Sequence, residues 1–440
     1  MKRIKMKSQF KYQTHKVGAR FGEASLRLIC TMLLFGALMI CYVHQVQAAN
    51  QYTLSQVMDL ALQQNPSLRI ARAQEDAAAA AVISAKSYIN PELEVGAGPS
   101  RYRSGNNDTK NNWGVALSQP LEFSDVRTAR REIAESNVKV AGASAELTKL
   151  ELRALVKNSF YAVLQRQAIL KIVEDDRQLL RQIKERVKLR VDVGESPKYE
   201  LIKADTESLA AERDYQTAFV RVVEAKAILH GLVGTAMPSE FDLLGELPLA
   251  NSLPTIQSLR DLVSQSPQLQ QVRAASETAE ARLKLEERLR NPGLTLKAGV
   301  DQDPDLTSFR LGLAIPLPLW NQRQGQIAEA SANVRQVQAI LSDRELALNR
   351  DLEAAYQRYL IAQAQVAAFE NGLLTQAESV LKVAEAAYKF GERGILEYLD
   401  AQRTHRVVKK DYLSARYDYI SAMLEIERLL GAEVVPGESS

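Results

Sequence analysis

Two hydrophobic periodicities take turns along this chain, and their order predicts its elements. After Asn90-Pro91, Leu93, Val95 and Ala97 alternate with Glu94, Gly96 and Gly98, and Trp113, Val115 and Leu117 alternate with Gly114, Ala116 and Ser118. Near residue 300 the period of two returns, with Leu294, Leu296, Ala298 and Val300 on one side and Thr295, Lys297 and Gly299 on the other. The cleanest run sets Phe309, Leu311, Leu313, Ile315, Leu317 and Leu319 against Arg310, Gly312, Ala314, Pro316 and Pro318. Successive strand side chains point to opposite faces, so each stretch predicts a hairpin, over about residues 92–122 and 293–319, apolar on one side and polar or small on the other. The polar segment 101–112 and the acidic segment 301–307 are expected to be exposed loops.

Elsewhere spacings of three, four and seven prevail. From Asp125 to about Arg190 there is no proline, and Leu152, Val156, Val163, Leu170, Leu180, Ile183 and Val187 recur at helical intervals. At 1.5 Å per residue this predicts about 100 Å of helix. A second such stretch runs from about Gln324 to Lys389. Each ends in a glycine turn, Gly194 or Gly391, and returns in a shorter helix, Lys198 to Leu232 or Ile395 to Leu430. A further helix precedes each hairpin: about Leu54 to Ser87, capped by Thr53 and interrupted near Pro66, and about Ile256 to Leu289. Both stop at an Asn-Pro pair, which disfavours more helix. Alanine and serine at many interfacial positions let neighbouring helices approach closely along coiled seams.

The same order of signals is thus written twice. Gln64 to Leu68 is echoed by Gln265 to Leu269, and Asn90 to Leu93 by Asn291 to Leu294, both at an offset of 201. Pro120 matches Pro316 at 196, while Val193-Gly194-Glu195 matches Phe390-Gly391-Glu392, and Gly234 matches Gly431, at 197. The register is read as broken only between Pro91 and Pro120, which marks a length-tolerant loop. Repetition over such a length is duplication of a whole supersecondary unit.

The N-terminus changes the charge balance. Residues 1–27 carry eight Lys or Arg and one acid, Leu28 to Val43 is almost wholly apolar, and Val46-Gln47-Ala48 offers small residues for cleavage. This predicts a secretory signal over residues 1–48. Neither Cys30 nor Cys41 follows the small residue that lipoprotein processing needs. Without the signal, the remaining 392 residues have no cysteine, and their formal charge falls from +3 to −4. No basic footprint for nucleic acid remains, and no disulfide can hold the fold. His230 and His405 stand on helices without a partner motif, and there is no G-x-S-x-G, Walker-type loop or metal cluster, so neither an enzyme nor a cofactor is expected.

Four amphipathic strands cannot close a membrane barrel, which needs at least about eight, and an open edge cannot face lipid. The chain is therefore expected to oligomerise. On the duplication, the Asn-Pro entry to each hairpin, the Ile315-Pro316-Leu317-Pro318-Leu319 exit and the paired turns at Gly194 and Gly391, it resembles the TolC-type outer-membrane efflux factors. That resemblance implies a mainly α chain with a transmembrane β-barrel: a homotrimer with a 12-stranded barrel in outer-membrane lipid, continued by a 12-helix periplasmic α-barrel. The first repeat would span 49–234 and the second 255–431, with segment 235–254 in an equatorial belt and 432–440 as a tail.

The resemblance also implies a site. The turns Val193, Gly194, Glu195 and Phe390, Gly391, Glu392 correspond to the tips where the family meets its periplasmic adaptor. Glu397 and Asp400, three apart on a helix, would form two acidic rings in a trimer, and such rings at a constriction select for cations. The family's latch maps to Tyr388 and Arg393, with Glu200 as the expected acceptor. Lys203 stands opposite the position of Asp400, so the two tips are not electrically equivalent. The implied function is a passive duct fed by an inner-membrane pump of RND type. Asn90 to Glu94 and the Leu-Pro-Leu-Trp exit are similar to the cobalt-zinc-cadmium branch. A multidrug duct, a type I protein-secretion duct and a non-channel envelope coiled-coil scaffold are the alternatives. Beyond the signal only Met58, Met237 and Met423 remain among the methionines, which argues against a soft-metal relay along the duct.

Overall fold

A computed structural model of the chain describes residues 51–101, 109–248 and 253–434. The expected signal, most of the first hairpin loop, part of the inter-repeat segment and residues 435–440 lie outside these. The described chain divides into two compact units. In the smaller, β1 (Gln51–Tyr52) pairs in parallel with β4 (Asp242–Leu243), and Leu244 N donates to Tyr52 O at 2.9 Å.

The larger unit holds everything else. Its first half contains α1 (Leu54–Gln64), α2 (Pro66–Lys86), β2 (Glu92–Arg101), β3 (Thr109–Leu121), α3 (Ser124–Asp192) and α4 (Lys198–Val233). Its second half contains α5 (Ile256–Val263), α6 (Pro267–Arg288), β5 (Leu294–Asp303), β6 (Leu306–Ala314), α7 (Gln324–Ala368), a π-helical turn (Phe369–Leu373), α8 (Leu374–Lys389) and α9 (Ile395–Leu430). The same device breaks the leading helix in both halves. Asn65 accepts from Ser67 N at 2.8 Å and Ser266 Oγ from Leu269 N at 3.4 Å, each with proline at the first helical position. The cap satisfies a terminal N–H, and proline there has no N–H left to lose.

The strands form one antiparallel sheet in the order β2-β3-β5-β6. Its register sets Leu93, Leu117, Ala298 and Leu311 in one row, and Val95, Val115, Val300 and Phe309 in the next. One face is therefore apolar and open to the surroundings, with Phe309 79 % and Leu311 87 % exposed. The other face carries Glu94, Lys297, Asp301 and Arg310 among glycines. Gly114 leaves room there for Asp301, since a Cβ on it would lie 2.5 Å from Asp301 Oδ1 and would make that side chain, paired with Arg310, shift.

Three expectations need correction. The last strand stops at Ala314 rather than continuing to Leu319, although the apolar alternation goes on. Pro316 and Pro318 lack the N–H a ladder needs, so Ile315, Leu317 and Leu319 continue outside the sheet. The second hairpin loop shrinks from 301–307 to Pro304 and Asp305, since Asp303 already pairs with Leu306.

The third correction concerns the long helices. In the first half α3 runs unbroken for 69 residues. Its counterpart is interrupted at Phe369–Leu373, where Gly372 adopts φ 157°, ψ −27°. Buried positions match across the halves at an offset of 196 before this turn, as in Leu152 with Leu348, Val156 with Leu352 and Val163 with Tyr359. After it they match at 197, as in Leu180 with Ala377. The register therefore shifts a second time, by one residue, across the kink where Gly372 leaves helical φ and ψ.

Candidate channel entrance

Both tips are built by the same backbone device. At the first, Gly194 N donates to Val191 O at 3.0 Å and Glu195 N to Arg190 O at 2.8 Å; at the second, Gly391 N donates to Tyr388 O at 3.1 Å and Glu392 N to Ala387 O at 2.9 Å. This is the Schellman arrangement, which needs a left-handed residue after the cap. The two glycines supply it, with φ 80° and 76°. Val193 and Phe390 beside them are exposed.

Above the tips the four converging helices share one apolar cluster. Leu180, Ile183 and Val187 of α3 and Ala204 and Ala211 of α4 pack with Ile395, Tyr398 and Leu399 of α9, and Tyr388 of α8 covers its edge. Full burial of each large apolar side chain contributes about 1.5–3 kcal/mol, enough to hold the two hairpins together. Burial also pushes the Tyr398 hydroxyl above its ordinary pKa range, and the Glu385 carboxylate acts in the same sense.

Tyr398 and Leu399 face this cluster, whereas Glu397 and Asp400 are exposed on the opposite side of the same helix. The latch residues are brought to one region but not into the expected bond. Arg393, in the bend before α9, donates from Nη1 to Glu397 Oε1 in the first turn of that helix at 3.2 Å, instead of reaching Glu200. Glu397 is the carboxylate nearest in the chain to the guanidinium. Glu200 still looks toward the second tip, since a Cβ built on Gly394 would lie 4.0 Å from its Oε1. Tyr388 stacks on Tyr398, and the Arg190 guanidinium stands 5.9 Å from its ring. Lys203 is occupied by Glu207 at 3.0 Å.

Two features of this region were missed in the sequence. Lys184 reaches Asp205 at 2.6 Å across the first hairpin, and that hydrogen bond and charge raise the lysine pKa. Asp176 accepts from Gln402 and Arg406 in the buried seam between α3 and α9. The signal for Asp176 was available, because it continues the apolar stripe of Val173, Leu180, Ile183 and Val187 at the same three-four spacing. Among the described residues, no group of three or more His, Cys, Asp and Glu side chains is placed to hold a metal ion, and no helix is long and apolar enough to cross a membrane.

An amphipathic sheet with one exposed apolar face, joined to paired helices of this length, has the architecture of outer-membrane channels. The chain belongs to the outer membrane efflux protein family, whose profile matches residues 57–235 and 259–432. Its place is accordingly the outer membrane. It is 26 % identical over 390 residues to the cobalt-zinc-cadmium resistance protein CzcC of Cupriavidus metallidurans, covering 88 % of this chain and 91 % of that one. It is 24 % identical over 412 residues to the outer membrane protein TolC of Vibrio cholerae, covering 86 % and 90 %. Its fold is shared with the Campylobacter jejuni CmeC outer membrane channel (TM-score 0.76, 16 % identity, 88 % and 87 % covered) and with CusC (TM-score 0.71, 20 % identity, 88 % and 93 % covered).

Proposed function

We propose that three copies of this chain form the outer-membrane duct of a tripartite efflux system. The observation that carries this reading is the pair of free edges on a sheet with an apolar face: β2 and β6 each have one strand neighbour among the described residues. Lipid offers no partner for a strand edge, so β6 of one copy must pair with β2 of the next, and three four-stranded sheets make a 12-stranded barrel. The long helices of the three copies extend from it into the periplasm as a 12-helix tunnel. The tips at Gly194 and Gly391 are the entrance and the surface for an adaptor. Glu397 and Asp400 line the entrance as acidic rings, and Tyr388, Arg393 and Glu200 help to hold it shut. The duct performs no chemistry, and an inner-membrane pump of RND type drives transport.

The likeness to CzcC supports metal cations as the cargo. The duct itself has no soft-ligand relay beyond the signal, so selection for metal lies in the pump.

The test is to purify the protein from outer membranes in detergent, determine its mass and record it in a planar bilayer. A conducting trimer supports the duct. A soluble, non-conducting species overturns it and favours an envelope scaffold. Sensitivity of a deletion strain to zinc, cobalt and cadmium, restored by the gene, supports the cargo; sensitivity to drugs alone overturns it.

A further inference from the structure

The order of the sheet is repeated in the helices that continue it. β2, β3, β5 and β6 stand side by side, and α2 packs on α3, α3 on α6 and α6 on α7. The two outer strands are thus continued by the two outer helices, α2 before β2 and α7 after β6. Ala314, Thr295 and Pro120 share one row of the sheet, two residues beyond the row of Ser118 and Glu92, so β6 leaves the sheet at the end where β2 enters it. Where β6 of one copy meets β2 of the next, residues 315–323 of the first therefore stand beside residues 86–91 of the second.

These two stretches carry apolar side chains that a single copy leaves uncovered. Ile315, Leu317, Leu319 and Trp320 are exposed on one edge, Trp320 to 88 %, and Tyr88 and Ile89 on the other, Tyr88 to 74 %. A strand ladder cannot join them, since Pro316, Pro318 and Pro91 have no N–H to give. Contiguous apolar surface left open in this way marks contact with a partner.

Both sides are held in place for such a contact. Arg323 has a left-handed φ of 60°, alone among the described non-glycine residues, and that conformation persists only where its surroundings impose it. Asn321 Oδ1 accepts from Arg323 N and Gln324 Oε1 from Gln322 N, each at 2.9 Å, and the Arg323 guanidinium is clamped on Glu286 of α6. The turn is thereby fixed to its own copy, and Trp320 stands out from it. On the other edge, the Arg127 guanidinium lies 4.1 Å from the centre of the Tyr88 ring and has no carboxylate partner among the described residues. A guanidinium can take a second aromatic ring on its other face, and indole is the ring that attracts a cation most strongly.

We propose that Trp320 of one copy stacks on the Arg127 and Tyr88 pair of the next, with Leu317 and Leu319 against Ile89, as a side-chain collar joining the copies where strand pairing stops. Three such contacts close the wall of the duct at the level where it changes from strand to helix. The inference rests on the trimer proposed above.

The experiment uses the absence of cysteine after the signal. Trp320→Cys combined with Tyr88→Cys in the full-length protein, treated in outer membranes with a short bis-maleimide, is expected to give covalent dimers and trimers on a denaturing gel, and neither single variant is. The result is read beside the mass of the purified wild-type protein. A trimer without the cross-link overturns the collar and leaves the duct standing; a monomer removes the trimer and the collar with it. The chain's two tryptophans separate the collar from burial of the same ring in lipid. In bilayers of brominated phospholipid, Trp320→Phe, which leaves Trp113 on the apolar face of the sheet, is expected to lose most of its emission. Trp113→Phe, which leaves Trp320, is expected to keep most of it. Quenching of Trp320 as strong as that of Trp113 places the ring in lipid and overturns the collar.

Discussion

The ring of Tyr388 in α8 lies on that of Tyr398 in α9, 5.8 Å between centroids and 9° from parallel. The stack ties the two arms of the second hairpin across the Gly391 turn, and Arg190 of the first hairpin stands over its outer ring. Tyr388 therefore works as a packing element shared by both tips. Tyr388→Phe keeps the stack and is expected to leave the melting temperature unchanged, whereas Tyr388→Ala removes ring contacts worth about 0.5–1.5 kcal/mol beyond the buried area. Thermal unfolding by circular dichroism separates the two.

Arg393 and Glu397 form an exposed pair, which contributes about 0–1 kcal/mol. Arg393→Ser is thus expected to leave stability untouched and, combined with Tyr388→Phe, to raise conductance in a planar bilayer. Wild-type conductance of that combination would place the latch elsewhere.

Glu397→Gln with Asp400→Asn removes both exposed acids of the α9 face. Block of current by multivalent cations is expected to weaken by about ten-fold or more, because a ring of like charges acts as one site. Unchanged block would remove these residues from the gate.

The two tip glycines test the turns themselves. A Cβ added at Gly194 or Gly391 meets nothing within 4 Å, yet both hold left-handed φ. Either alanine substitution is expected to cost about 1–2 kcal/mol through backbone conformation alone. Equal melting temperatures for wild type and Gly391→Ala would show that the turn changes its conformation to suit.

Acidity should loosen the second hairpin through His405. Burial, helped by Lys409, holds its pKa below the ordinary 6.5, while Glu378 pulls the other way. The unfolded chain therefore takes up the proton first. The contribution is fully present above pH 6.5 and is lost as pH falls through the lowered folded value. His405→Gln should flatten that part of the profile between pH 7.5 and 5, measured as the difference in melting temperature from wild type; parallel profiles would count against it.

The strand faces and the long helices were legible because alternation and helical spacing are properties of neighbouring residues. Leu93, Val95, Phe309 and Leu311 fall on one face as expected, and Gly194 and Gly391 mark the turns. The end of β6 was not legible from alternation, since Ile315, Leu317 and Leu319 keep the pattern while the prolines between them remove the donors. The π-turn escaped for a different reason: one extra residue leaves ordinary helical spacing on both sides and shows only as a step in the offset between halves. The partner of Arg393 depended on competition between two carboxylates, Glu200 and Glu397, which local geometry decides.

Strands β3 and β5 are neighbours in the sheet, yet Trp113 pairs with Gln302, and α3 and α4 lie between them in the chain. Such a ladder cannot close until β5 exists, so the whole of the first half and the start of the second must be made before it. During export the hairpin β2–β3 waits with its apolar face uncovered and an edge unpaired, a state open to aggregation. The topology therefore makes completion of the sheet a late event in folding.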